Sequence, residues 1–290
     1  MKNILITGCS GFIGKNAVNF FIKKNYEVYG ISSKYNSELK KKNFLNKKSK
    51  KINIINFIKN NKPNIIIFAH GSIDHTSDYE KLYKDHFKLT KLIIDNLDKK
   101  KIEKIIFLSS GDEYGIPYSL PISENIYCSP ITNYGLIKNL SSNYILKSFS
   151  NINEKNISIF IFRLFLIYGD NQKIPRLIPL IKEHLLNNKL LVLNSKYVQK
   201  NFTHIFDLLN YFHKIIKLKK KFKGIINFGS NNNLRIIDII KLIEKKYNRK
   251  INLKLNNKKT LKNFSLFPDT TKLFKIFGRY KFIKIDSDNI

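Results

Sequence analysis

The stretch "ILITGCSGFIG", residues 4–14, constrains this chain more than any other. A short apolar run, Ile4 to Ile6, leads into Gly8, Gly11 and Gly14, and a helical pattern follows with Ala17, Val18, Phe20, Phe21 and Ile22 available for packing. Two readings fit glycines at that spacing. One is a tight turn with no further role. The other is a strand–turn–helix phosphate cradle, in which Gly8 permits the turn, Gly11 lets backbone approach a pyrophosphate and Gly14 lets the helix pack closely on the strand. The free N–H groups at the helix start, around Phe12 and Ile13, then meet the phosphates with the positive end of the helix dipole. The spacing is G-x-x-G-x-x-G rather than G-x-G-x-x-G, yet its strand and helix context favours dinucleotide binding.

Apolar runs alternate with helical patterns through the first half of the chain. "NILIT", "YEVYGI", "NIIIFA", "IEKIIFLSS" and "ISIFIFRL" read as strands; residues 78–98 and "NYGLIKNLSSNYILKSF" read as helices; residues 34–51 carry no clear pattern. This alternation predicts an α/β, Rossmann-type doubly wound parallel sheet with helices on both faces. Past Arg163 the rhythm loosens into short strands ("LLVL", "GIINFG") and helices near 174–187, 207–218 and 235–247. We expect a dinucleotide-binding domain over 1–163 and a smaller C-terminal α/β substrate lobe over 164–290, with the chain free to cross between the two.

Composition narrows the function classes. No stretch of about 18 residues is continuously apolar, so no membrane span is expected. The start carries one Lys and only Ile4 to Ile6 as an apolar stretch, too short for an export signal. Cys9 and Cys128, with no C-x-x-C, argue against a zinc site and a disulfide framework, and His, Asp and Glu show no metal-ligand spacing. We expect a cytoplasmic protein without a metal. The net charge of +32 is nearly all Lys, with Arg only at 163, 176, 235, 249 and 279. Base and phosphate readers lean on the Arg fork, whereas these lysines sit on helix faces and in "KKKNFLNKKSKK", where solvation accounts for them. No nucleic-acid partner is expected; attraction for anionic small molecules is.

"TGCSGFIG" resembles the nucleotide-binding signature of the extended short-chain dehydrogenases/reductases, the family of nucleotide-sugar epimerases, dehydratases and keto-reductases. Four further segments resemble that family in the right order: "IFAHGS", "FLSSGDEYG", "NYGLIK" with its Y-x-x-x-K pair, and "FRLFLIYGDNQ". Weaker matches, "QKNFTHIFDLLNYF", "GIINFGSNNNLRIIDII" and "PDTTKLFKIFG", extend the likeness nearly to the C-terminus. The resemblance implies an NAD(P)-dependent enzyme acting on a nucleotide-diphosphate sugar, with keto-reductase and epimerase ranked above 4,6-dehydratase. It also implies Ala69 and His70 beside the cofactor, and a homodimer through the long helices. The competing class is a non-catalytic dinucleotide- or RNA-binding protein on the same fold.

Tyr134 and Lys138 are four apart on an expected helix and so share one face. A phenol ordinarily titrates near about 10, and a nearby ammonium favours its phenolate, making it a usable acid or base. Tyr134 would move a proton at a sugar carbonyl or hydroxyl as hydride moves to or from the nicotinamide, and the family's Lys also binds the cofactor ribose. Ser110 matches the family's Ser/Thr that hydrogen-bonds the reacting oxygen, with Ser109 as the alternate. Asp112 is the acid that could serve water loss, because Gly111 intervenes after Ser110; Glu113 is expected to point elsewhere. His70 and His75 in "AHGSIDH" would line the cleft, as polar lining or as proton donors. Arg176 after "YGDNQ", Lys200 where the family has Arg before an Asp that is Asn201 here, and Arg235 are candidate diphosphate contacts or plain surface charges. At the end of the second strand, where an acid would bind the ribose of NAD, stand Ser32, Ser33 and Lys34, and the next acid is Glu38. A hydroxyl pair and an ammonium attract a 2′-phosphate that a carboxylate would repel, so NADP(H) is expected over NAD(H), which is still accommodated.

Overall fold

A computed structural model describes residues 2–72, 77–150, 156–256 and 264–290. The first elements are β1 (Asn3–Thr7), α1 (Phe12–Lys23), β2 (Glu27–Ser32), β3 (Phe44–Asn46), α2 (Lys51–Asn61), β4 (Ile65–Phe68), α3 (Tyr79–Leu82), α4 (Leu89–Asp95), β5 (Lys104–Ser110), α5 (Asn133–Ser148) and β6 (Ser158–Leu164). There follow β7 (Leu166–Tyr168), α6 (Leu177–Leu186), β8 (Leu191–Leu193), β9 (Gln199–His204), α7 (Ile205–Lys217), β10 (Lys223–Phe228), β11 (Asn233–Arg235), α8 (Ile236–Tyr247), β12 (Leu253–Leu255) and α9 (Thr271–Phe277).

The chain divides into two compact units, residues 1–115, 127–163 and 209–226 in one, and 116–126, 164–208 and 227–290 in the other. The first is built on a seven-stranded parallel sheet in the order β10-β6-β5-β4-β1-β2-β3. Its central strands are buried on both faces. Leu5, Ile66, Phe68, Ile105, Phe107, Ile159 and Ile161 join Ile93, Ile145 and Phe149 from α4 and α5 in one core cluster. Ile4, Ile6, Ile65, Ile67, Ile106, Phe160 and Phe162 on the opposite face are also fully buried. Continuous apolar strands are what a sheet covered by helices on both sides demands. No helix among the described residues is long and apolar enough to cross a membrane.

Three features depart from the sequence expectation. The patternless stretch 34–51 contains β3, which pairs with β2 in the register Gly30↔Phe44, Ile31↔Leu45 and Ser32↔Asn46; three residues are too few to show a period. "GIINFG" supplies β10 of the large sheet, beside β6, rather than a strand of the second unit. The helix expected over 78–98 is interrupted by a π-helical turn, Tyr83–Lys88. There the carbonyl of His86 accepts from His70 Nε2 at 2.9 Å and from Thr90 Oγ1 at 2.8 Å, and the helix widens around it.

In the second unit β9 pairs antiparallel with β11 and parallel with β7, and β8 pairs parallel with β12. Its core gathers Tyr168, Ile178, Ile181, Phe202, Ile239 and Ile243.

Candidate active site

In the first unit the chain order reverses where β1 lies beside β4, with Ile4↔Ile65 through Thr7↔Phe68 in register. Open α/β sheets bind ligands in the crevice outside the carboxyl ends of their strands at such a point. The residues at those ends are Thr7 on β1 and Gly8 after it, Ser32 on β2, Ala69 and His70 after β4, and Ser110 on β5.

The glycine turn is built for close backbone contact. Gly8 has φ +69°, and a Cβ there would lie 2.5 Å from the carbonyl oxygen of Ala69. A Cβ on Gly14 would lie 2.2 Å from the carbonyl oxygen of Gly8. Gly11 differs: it is exposed, and a Cβ would meet only the Gly8 carbonyl, at 3.3 Å. Helix α1 begins immediately after it, with no side-chain cap and no acid in its first turn. Its leading N–H groups therefore suit an anion, and Phe12 and Ile13 supply the first of them. The residues present fit the pyrophosphate of a dinucleotide. Cys9 in this turn is buried, which pushes its thiol up to about 12 and leaves it without thiolate chemistry at neutral pH.

His70 is committed to the interior. Its Nδ1 accepts from Thr7 Oγ1 at 2.6 Å, and its Nε2–H points to the carbonyl of His86 and to Thr90 Oγ1 at 3.2 Å. The ring stitches β1, β4 and the π-helical turn together; only its backbone remains at the end of β4 for a cofactor. His75 and Asp74 lie outside the described residues. Sequence reasoning missed His86, whose ring meets the Tyr134 ring edge-on at 5.5 Å; one His in an amphipathic helix carries no signal of that contact.

Burial lowers His70 to about 4 and His86 to about 2, with the Lys138 charge acting in the same direction. In the unfolded chain both rings titrate near 6.5. As pH falls below that value the unfolded chain takes up protons that the native one refuses. Their stabilisation is therefore complete above about pH 6.5 and is lost progressively as pH falls toward the native values. The melting temperature should hold steady above this point and drop between about pH 6.5 and about pH 4, less steeply in His70→Gln. A flat thermal-melt profile across that window would show the rings to be charged in the native state.

Helix α5 presents the Y-x-x-x-K pair. Thr132 caps it, its Oγ1 accepting from Gly135 N at 3.0 Å, so Tyr134 stands in the first turn. Lys138 is buried; its Nζ donates to the carbonyl of Leu108 at 2.8 Å and lies 5.7 Å from the centre of the Tyr134 ring. The ammonium is thus held between the carboxyl end of β5 and the tyrosine. Gly135 matters to this placement, because a Cβ on it would lie 2.4 Å from the carbonyl oxygen of Asp112. Only glycine lets the start of α5 close on the turn that follows β5.

The pleat of β5 separates the two serines. Ser109 is buried and donates to Glu113, whereas Ser110 stands at the strand end with Oγ accepting from Asp112 N at 3.2 Å. Glu113 does point away from the strand end, into a buried ion pair with Arg163. The available signal was Arg163 itself, the one charge in the buried strand "SIFIFRL", which needs a buried partner.

The second-unit candidates do not form one clamp. Arg235 caps α8 with its fork on Asp238, at 2.9 and 2.8 Å. Lys200 Nζ donates to the carbonyl of Phe264 at 2.9 Å. Lys200 lies opposite Leu234 and Arg235 opposite Gln199, so the two cations occupy opposite faces of the β9–β11 pair. Arg176 is half-buried and precedes α6. Asn201 is fully buried, donating to Ser230 O at 2.6 Å and to Asn233 Oδ1 at 2.7 Å; it is a structural hub.

The family model for the NAD dependent epimerase/dehydratase family matches residues 4–229. The dTDP-4-dehydro-6-deoxyglucose reductase of Escherichia coli is 26% identical over 266 residues, covering 86% of this chain and 83% of its own length. The UDP-glucose 4-epimerase of Haemophilus influenzae is 26% identical over 291 residues, covering 87% and 85%. Among solved structures, a UDP-glucuronic acid 4-epimerase from Bacillus cereus, in complex with UDP-glucuronic acid and NAD, has a TM-score of 0.85 over 99% of this chain and 96% of its own, at 22% identity. That last likeness concerns the fold; the family rests on the match over residues 4–229, which contains the glycine turn, Ser110, Tyr134 and Lys138. This chain is an enzyme of the NAD-dependent epimerase/dehydratase family.

Proposed function

We propose that this enzyme moves hydride and a proton at a carbonyl or hydroxyl carbon of a nucleotide-diphosphate sugar, as a keto-reductase or an epimerase. The observation that carries the reading is the Lys138 ammonium lodged between the carboxyl end of β5 and the Tyr134 ring. When bound, the dinucleotide supplies the hydride chemistry. Tyr134 gives or takes the proton of the reacting oxygen, Lys138 favours its phenolate and binds the ribose, and Ser110 hydrogen-bonds the same oxygen. Both relatives above act on nucleotide-linked sugars by name, and the Bacillus cereus neighbour holds one. Arg176 is the second-unit cation we assign to the diphosphate, with Lys200 in support. A cytoplasmic homodimer belongs to the same reading.

The test is to incubate the enzyme with UDP-glucose, UDP-glucuronic acid and dTDP-4-dehydro-6-deoxyglucose, each with NADH and NADPH or their oxidised forms. Loss of the reduced-nicotinamide absorbance with substrate marks a reductase; an inverted sugar without net cofactor change marks an epimerase. Loss of water by mass would instead make Asp112 the acid of a dehydratase. No change in any sugar would overturn the reading.

NADP(H) is the cofactor we assign. Ser32 is buried at the end of β2, its hydroxyl bonded to that of Ser10 in the glycine turn, while Ser33 and Lys34 beyond it are exposed. No carboxylate stands between Ser32 and Glu38 to engage a ribose 2′-hydroxyl. NADPH should bind about 10-fold more tightly than NADH, about 1.4 kcal/mol, and Lys34→Ala should erase most of that difference. Tighter NADH binding, unaffected by Lys34→Ala, would reverse the assignment; the Bacillus cereus neighbour holds NAD.

A further inference from the structure

We propose that Glu113 and Arg163 are positioning residues for the reacting groups: their buried ion pair locks the turn after β5 to α5 and so sets Ser110 relative to Tyr134. The inference rests on the proposed function for its kinetic consequence and on geometry alone for its structural one.

Both side chains are inaccessible, Glu113 at 0% and Arg163 at 4% exposure. Arg163 Nε and Nη2 each donate to Glu113 Oε2 at 2.8 Å. The other oxygen, Oε1, accepts from Ser142 Oγ at 2.8 Å and from Ser109 Oγ. One carboxylate thus ties β6, β5 and α5 together. The Arg163 guanidinium also lies over the Tyr114 ring, 4.4 Å from its centre. Ser110 sits inside this lock, because Ser109 before it and Glu113 after it are joined side chain to side chain. On α5, Tyr134, Lys138 and Ser142 recur every four residues and share a face. Lys138 pins that face to Leu108, and Ser142 pins it to Glu113. The Asp112 carbonyl against Gly135 closes the third side.

A buried ion pair is a poor source of stability, since apolar residues of the same size often serve as well. What it supplies here is direction: a planar fork and a carboxylate accept few relative orientations. Reacting groups misplaced by about an ångström lose much of their rate, so a lock at this point has a kinetic use.

The test is Glu113→Gln, which keeps the volume and removes the charge. Amide hydrogen exchange should rise over residues 109–115 and 132–138 and stay unchanged over 3–14, and dinucleotide affinity should stay within about twofold of the parent. Turnover should fall about 30-fold with KM little changed. In a Ser110→Ala background the same substitution should cost about threefold or less, because its effect passes through Ser110. Arg163→Lys, which keeps the charge and loses the fork, should fall between parent and Glu113→Gln. Ser142→Ala breaks one tie without stranding a charge and provides the same exchange signature should Glu113→Gln not fold. Unchanged exchange in both segments, or a turnover loss of full size in the Ser110→Ala background, would overturn the proposal. An enzyme inert toward every nucleotide sugar would overturn the proposed function instead, and the exchange result would still decide the lock.

Discussion

Tyr134→Phe is expected to lower turnover by about 100-fold or more, the usual contribution of general acid–base catalysis. The substitution removes the transferable proton and leaves the ring. That ring packs edge-on against His86 and joins the small cluster of Leu82, Phe87 and Ile137, contacts that the substitution keeps, so folding should be little changed. Dinucleotide affinity should also hold, because Lys138 keeps its bond to the Leu108 carbonyl whether or not the phenol is present. Steady-state kinetics with the sugar found active, together with a dinucleotide titration, checks both halves. Near-normal turnover would assign the proton transfer to another group, and a joint collapse of turnover and dinucleotide affinity would make Tyr134 a binding residue.

Gly11→Val should weaken dinucleotide binding by about 100-fold, equivalent to about 2.7 kcal/mol, while leaving the fold in place. The same turn contains the contrast that makes this informative. At Gly8 an added Cβ would sit 2.5 Å from backbone of the neighbouring strand connection, at a left-handed φ of +69°, so Gly8→Ala should destabilise the fold itself. At Gly11 an added Cβ would meet one carbonyl oxygen at 3.3 Å, and the residue is the N-cap of the uncapped α1, the helix start we assign to the phosphates. Thermal melting and fluorescence titration of both variants separate the two effects. A folded Gly11→Val protein with normal dinucleotide affinity would reduce the glycine pattern to a turn.

The sequence by itself determined the parts of this protein that depend on neighbours along the chain. Continuous apolar strands separated by helical periods specify a parallel sheet covered on both faces. Glycines between a strand and a helix specify a close turn, and a four-residue spacing puts Tyr134 and Lys138 on one side of α5. Each of these follows from the 3.6- and two-residue periods or from the steric freedom of a single residue type. What only the tertiary structure decided depends on partners far apart in sequence. Ser109 is taken up by Ser142 and by Glu113, which Arg163 holds, and Ser110 is left at the strand end. The place of His70 turned on Thr7, His86 and Thr90, which together enclose its ring. The pairing of β9 with β11 turned Lys200 and Arg235 to opposite faces. Strand β10 joined the large sheet because the β6 edge offered unpaired backbone groups that its own segment could meet. For His70, Ser109 and Glu113 a polar or charged group could not be buried alone, and the partner that satisfied it was brought there by the packing of the sheet and its helices.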